Sequence, residues 1–132
     1  MFKLTETYTD YNGVERTEEF HFNLNKAELM EMELSTSGGL AETINRIVAA
    51  QDGPAIIKIF KDLVLKAYGV KSEDGKRFKK SDELREAFVE TEAYSQIFMR
   101  LATDADAAAK FVNGIMPADV QQNAKALPNA VK

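Results

Sequence analysis

A chain of 132 residues that is 45% apolar can bury one core, and nothing in its composition asks for a second. The absence of cysteine excludes a disulfide framework, a thiolate metal site and a cysteine nucleophile, and suits a reducing compartment. Charge is polarised along the chain: residues 1 to 60 hold ten acids and five bases, and residues 61 to 80 hold seven bases and three acids, within a net −4. Such polarity either steers a partner or a second copy, or belongs to solvated faces.

The N-terminal stretch "MFKLTETYTD" has no apolar signal-peptide core, and no run approaches the roughly 18 apolar residues that span a bilayer. A soluble, intracellular protein without membrane contact is expected. "DYNG" marks a turn with two competing registers. A two-residue Asn12-Gly13 turn sets Leu4 opposite His21 and mixes the faces. A three-residue loop of Tyr11, Asn12 and Gly13, with Gly13 left-handed, sorts them. Phe2 then meets Phe22, Leu4 meets Phe20 and Tyr8 meets Arg16, while Lys3/His21, Thr5/Glu19, Thr7/Thr17 and Thr9/Glu15 form a polar face. The blemish is Glu6 opposite Glu18, a like-charge pair that costs stability unless it sits at a solvated rim.

A hairpin alone is marginal in water, so helices must cover its apolar side. Asn25 and Glu28 form a capping pair before "KAELMEMEL", a short helix ending near "STSGG". A second helix, about 40 to 50, carries Leu40, Ala41, Ile44, Ile47 and Val48 on one face. A third begins at Asp52 or Gly53 before Pro54 and runs to about Tyr68, with Ile56, Ile57, Phe60, Leu63, Val64, Ala67 and Tyr68 as its stripe and Gly69 as its cap. "VKSEDGKRFKKSD" reads as a small hairpin or an extended loop. Ser81 or Asp82 then starts a helix with Leu84, Ala87 and Phe88. Thr91 starts one with Tyr94, Ile97, Phe98 and Leu101, and Thr103 or Asp104 starts one through Phe111 and Val112 to Gly114. The Ala-rich end from Pro117 reads as a mobile tail. The expected fold is α+β: a mainly helical single domain over 1–116, with the hairpin 2–22 packed on about five to six short helices of a body over 25–114, and a flexible tail over 117–132.

Chemistry is sparse. The single histidine, His21, falls on the polar hairpin face with nothing organised around it, and reads as a solvated strand residue. Asp104 and Asp106 are spaced as in a calcium loop, but Ala108 and Ala109 replace the next oxygen ligand and the turn glycine, which rejects a metal site. Phosphate-loop and dinucleotide glycine patterns are absent, so no cofactor and no catalytic residue are expected. Met30 and Met32 on an acidic helix are either an adaptable partner surface or core filler. Lys76, Arg77, Phe78, Lys79 and Lys80 form a basic cluster, diluted by Glu73 and Asp74. It supports an alternative reading as a small nucleic-acid-binding regulator using residues 71–80, against the acidic total.

The stretches "YTDYNGVERTEEFHFNLNKAELMEMELS", "IFKDLVLKAYGVKSEDGKRF" and "SDELREAFVETEAYSQIFMRLATDADAAAKFVNGIMP" together resemble the small tail assembly chaperones of long-tailed bacteriophages, particularly those of Gram-positive hosts. The resemblance spans about residues 6 to 117 and rests on the order of segments, with no catalytic motif. It implies a non-enzymatic protein of the host cytoplasm, absent from the mature virion, that coats the tape measure protein, keeps it soluble and hands it to the tail tube protein. It also implies self-association, as a ring or helical oligomer, and a longer form made by frameshifting. Met30, Met32 and the basic cluster 76–80 are the residues expected at a partner surface.

Overall fold

The structure, a computed structural model, describes residues 1–35 and 53–117. In chain order these form β1 (Phe2–Thr9), β2 (Glu15–Phe22), α1 (Lys26–Ser35), α2 (Gly53–Ala67), β3 (Tyr68–Lys71), β4 (Phe78–Lys79), α3 (Asp82–Val89), α4 (Glu92–Thr103) and α5 (Ala105–Ile115). The four strands make one antiparallel sheet in the order β1-β2-β3-β4. The α+β fold with its N-terminal hairpin on helices is therefore as expected. The anticipated helix at 40–50 and the tail beyond Pro117 lie outside the described residues.

The hairpin adopts the three-residue loop. Phe2 pairs with Phe22, Leu4 with Phe20 and Glu6 with Glu18, and Gly13 carries φ +79°, the left-handed position that closes this loop without a Cβ clash. Asp10 fastens the turn by accepting from the Asn12 and Val14 amides through one carboxylate oxygen and pairing with Arg16 through the other.

Period-two alternation aims the even positions of both strands at the helices. Phe20, Phe22 and Tyr8 are buried there, with Phe2 and Leu4 half-buried at the border. Phe22, fully buried, meets Phe88, Phe111 and Tyr68 at ring-centroid distances of 6.0, 5.4 and 5.9 Å, and Tyr68 stacks on Phe88 at 4.1 Å. Each well-oriented aromatic pair adds about 0.5–1.5 kcal/mol beyond area burial. Leu63, Val64, Ala67, Ala93, Ile97, Leu101 and Ile115 complete the core from α2, α4 and α5.

The link after β2 sews three regions together. The Asn23 amide donates to the Ala67 carbonyl and the Leu24 amide to the Ile115 carbonyl, each at 2.8 Å, so the last carbonyls of α2 and α5 are satisfied by backbone rather than water. Leu24 itself is fully buried.

Several local expectations are corrected. Glu6 is not at a solvated rim: it is 1% exposed, and the like-charge problem is solved by α4 and by separating the pair, as described below. Gly69 does not cap a helix but lies in β3 opposite His21, where a Cβ would come within 2.7 Å of the Phe78 ring and 2.8 Å of the Lys79 carbonyl. Tyr68 accordingly belongs to the sheet, not to the stripe of α2. Of that stripe Leu63, Val64 and Ala67 are buried, whereas Ile57 is exposed. Ala87 is exposed on α3, and α5 runs one residue past Gly114, to Ile115. Residues 68–79 resolve as the small hairpin, joined to the large one through β2.

Candidate partner-binding surface

The seven residues expected at a partner surface divide into two groups. On α1, the capping pair forms as read: the Glu28 amide donates to Asn25 Oδ1 at 2.8 Å and the Asn25 amide to Glu28 Oε1 at 3.0 Å. This fixes the helix so that Met30 and Leu34 are 63% and 83% exposed, while Met32 packs half-buried against the core. Met32 thus takes the core-filler position, and Met30 is left exposed.

The second group converges. Arg77, Phe78, Lys79 and Lys80 line, with Glu28, Ser81 and Leu84, an open cleft of about 490 Å³ between the start of α1 and the small hairpin. Lys76 stands beside it, exposed in the turn. The turn is built by Asp74, which accepts from the Ser72 hydroxyl and the Lys76 amide; the Ser72 bond, foremost, holds its carboxyl below the ordinary 3.8. Lys80 is already engaged: its ammonium donates to the Asn23 carbonyl at 2.6 Å and to Glu28 Oε2 at 2.7 Å, and lies 5.6 Å from the Phe78 ring centroid. Burial pushes its pKa below 10.5, with the Glu28 carboxylate acting in the opposite direction. Lys71, Lys76, Arg77 and Lys79 are the exposed bases of the segment.

Sequence reasoning missed the polar cluster under α4. Glu6 accepts from Arg100 Nη1 at 2.7 Å, from Arg100 Nη2 at 2.6 Å and from Gln96 Nε2 at 2.9 Å, and Gln96 also donates to the Thr7 carbonyl at 3.0 Å. Glu18 turns outward and accepts from the Tyr8 hydroxyl. A signal existed: Gln96 and Arg100 are four apart on one helix face, an amide donor and a cation suited to an acid stranded on an apolar strand face. His21 is half-buried in the strand with Gly69 opposite, and Asp104 caps α5 by accepting from the Asp106 and Ala107 amides. Among the described residues no group of acids and histidine could hold a metal, and no helix is long and apolar enough to cross a membrane.

Buried side-chain polar atoms are all satisfied among the described residues, and the exposed features include apolar side chains on α1 and open clefts. A family model described as phage tail assembly chaperone matches residues 1–131. The chain belongs to this family. No curated protein and no solved structure matches it.

Proposed function

We propose that this chain serves a long-tailed phage of a Gram-positive host by binding the tape measure protein in the host cytoplasm. It keeps that protein soluble, self-associates along it, helps recruit tail tube protein and does not enter the mature virion. Its role is binding, without catalysis.

The observation that carries this reading is the exposure of Met30 and Leu34 on a capped helix beside the basic cleft. Long helical clients present apolar stripes that need temporary cover, and flexible methionine and leucine side chains adapt to many such stripes without a deep pocket. The cations Lys76, Arg77 and Lys79 suit the acidic flanks of an amphipathic helix. Co-expression with the tape measure protein and pull-down tests it: the wild-type chain should retain that protein in the soluble fraction, and Met30→Ser with Leu34→Ser should lose it. Equal retention by the double variant would remove α1 from the binding surface, and no retention by the wild type would overturn the reading.

A further inference from the structure

The outer edge of β1 is a second accessible surface. In the turn, the Asp10 amide donates to the Val14 carbonyl at 2.8 Å, which makes Asp10–Val14 a hydrogen-bonded pair. Antiparallel ladders alternate, so the even positions of β1 bond to β2 while Lys3, Thr5, Thr7 and Thr9 direct their N–H and C=O groups away from it. The Gln96 bond to the Thr7 carbonyl, made from outside the hairpin, agrees with this direction. Among the described residues no strand pairs with this edge.

Edges that must stay unpaired are commonly guarded by proline, a bulge or charged side chains, lysine above all. β1 has no proline, keeps continuous register with β2, and its one outward-facing base, Lys3, is ion-paired to Glu19 at 3.1 Å. Gln96 occupies the edge at Thr7, and among the described residues no strand pairs with the half from Phe2 to Thr5. Beside that half lies a cleft of about 370 Å³ with Phe2, Leu4 and Leu101 among its walls, and with the bases Arg100 and Lys110 and the acids Asp104 and Asp106 also lining it.

We propose that two copies of this chain pair antiparallel through the Phe2 to Thr5 half of β1, with Leu4 facing Leu4 on a two-fold axis. Lys3 of each copy then exchanges both backbone bonds with Thr5 of the other. Hydrogen-bonded pairs must join odd positions to odd ones; centring on Thr5 instead would require the Thr7 carbonyl that Gln96 holds. Centring on Leu4 uses the Lys3 and Thr5 groups that the β1–β2 ladder leaves unbonded, and brings the two clefts face to face. The mixed-sign lining selects an identical copy, because a two-fold rotation can set acids against bases, whereas an acidic or a basic partner meets like charge as often as unlike. The contact is isologous and closed. It supplies a dimer contact within the self-association of the proposed function, whose extension along a client needs a second contact, and it rests on that reading for its partner.

The test uses the full chain. Leu4→Cys places the sole thiol at the axis, where facing residues of a non-hydrogen-bonded pair suit a disulfide. Mild oxidation should give covalent dimers, and Thr17→Cys, exposed on β2, should not. Hydrogen exchange should show the Thr5 amide protected in proportion to protein concentration. Thr5→Pro removes an outward donor that the β1–β2 ladder does not use, and should raise the dimer dissociation constant about tenfold or more. A Thr5 amide that exchanges freely at every concentration, or no preference of Leu4→Cys over Thr17→Cys, would overturn the pairing. Protection that appears only with added tape measure protein would assign the edge to an extended client segment and also overturn it, while the chaperone reading stood. Dimers that persist in a chain failing to retain tape measure protein would uphold the pairing and sink that reading.

Discussion

Arg100 closes both guanidinium nitrogens of its fork on the carboxylate of Glu6, at 2.6 and 2.7 Å, and so lets an acid occupy the apolar face of β1 with a fully buried side chain. Removing the arginine strands that charge. Breaking a buried pair costs about 3–5 kcal/mol, but the Arg100 side chain is 42% exposed and Gln96 remains, so Arg100→Ala should cost about 2–3 kcal/mol. Replacing both residues together, by Glu6→Leu with Arg100→Met, should cost less than Arg100→Ala alone. Urea denaturation of the three chains checks the order; a double variant worse than the single would show that the pair itself, not the avoidance of a lone charge, stabilises the fold.

Gly114 faces the Phe2 ring so closely that a Cβ would collide with it, reaching Cγ at 2.9 Å. Gly114→Ala should therefore destabilise by about 1–3 kcal/mol, despite the gain of about 0.5–1 kcal/mol that alanine brings inside a helix. Combined with Phe2→Ala, the cost should fall below the sum of the singles, since the collision is removed. Strict additivity in thermal unfolding would mean that Phe2 moves aside freely.

All four tyrosines have their pKa raised above the ordinary 10.0: Tyr8 and Tyr11 mainly because their hydroxyls donate to Glu18 and Glu92, Tyr68 and Tyr94 by burial. A raised folded-state pKa means stability that is complete below 10.0 and lost as pH climbs through the folded value. Lys80 runs oppositely, because its depressed pKa lets the unfolded chain hold more protons just below 10.5, where stability rises with pH. The tyrosines outnumber it, so the thermal midpoint should fall above about pH 10, in step with tyrosinate absorbance. In Lys80→Met the fall should begin at lower pH; an unchanged onset would show that Lys80 titrates as a solvated amine.

Lys76, Arg77 and Lys79 are exposed. Changing all three to alanine should alter stability by no more than about 0.5 kcal/mol per site. The wild-type chain should also show no tight, salt-dependent binding to DNA or RNA, since its net charge of −4 opposes phosphate. A steep salt slope abolished by the triple variant would favour the nucleic-acid reading of residues 71–80.

Much of the fold was legible because local signals agreed with tertiary ones. The hairpin register followed from sorting Phe2, Leu4, Phe20 and Phe22 onto one face; the start of α4 followed from Thr91, and those of α3 and α5 were narrowed to Ser81 or Asp82 and to Thr103 or Asp104, of which Ser81 and Asp104 cap through their side chains. Gly69 misled because a glycine after a helical stripe reads the same whether it caps the helix or admits a neighbouring ring, and only the packing of Phe78 decides. Glu6 misled because its partner lies 94 residues on, and the Gln96 and Arg100 spacing points to an acid without saying which one until α4 is packed on β1. For the partner surface, residues 77–80 converge as a short segment must, but the engagement of Lys80 by Glu28 depends on how α1 docks, and no spacing encodes that.

The bonds from Asn23 and Leu24 to the ends of α2 and α5 also have a consequence in time. During synthesis the β1–β2 hairpin can close once residue 22 has emerged, yet Leu24 waits for Ile115 and Phe22 for Phe111, near the far end of the fold. The aromatic face of the hairpin is thus the first part of the core to be made and among the last to be covered. Nascent chains halted before α5 should be cut by protease at Phe20 and Phe22, and chains released after it should not. Until then this protein carries an apolar strand face with only part of its cover.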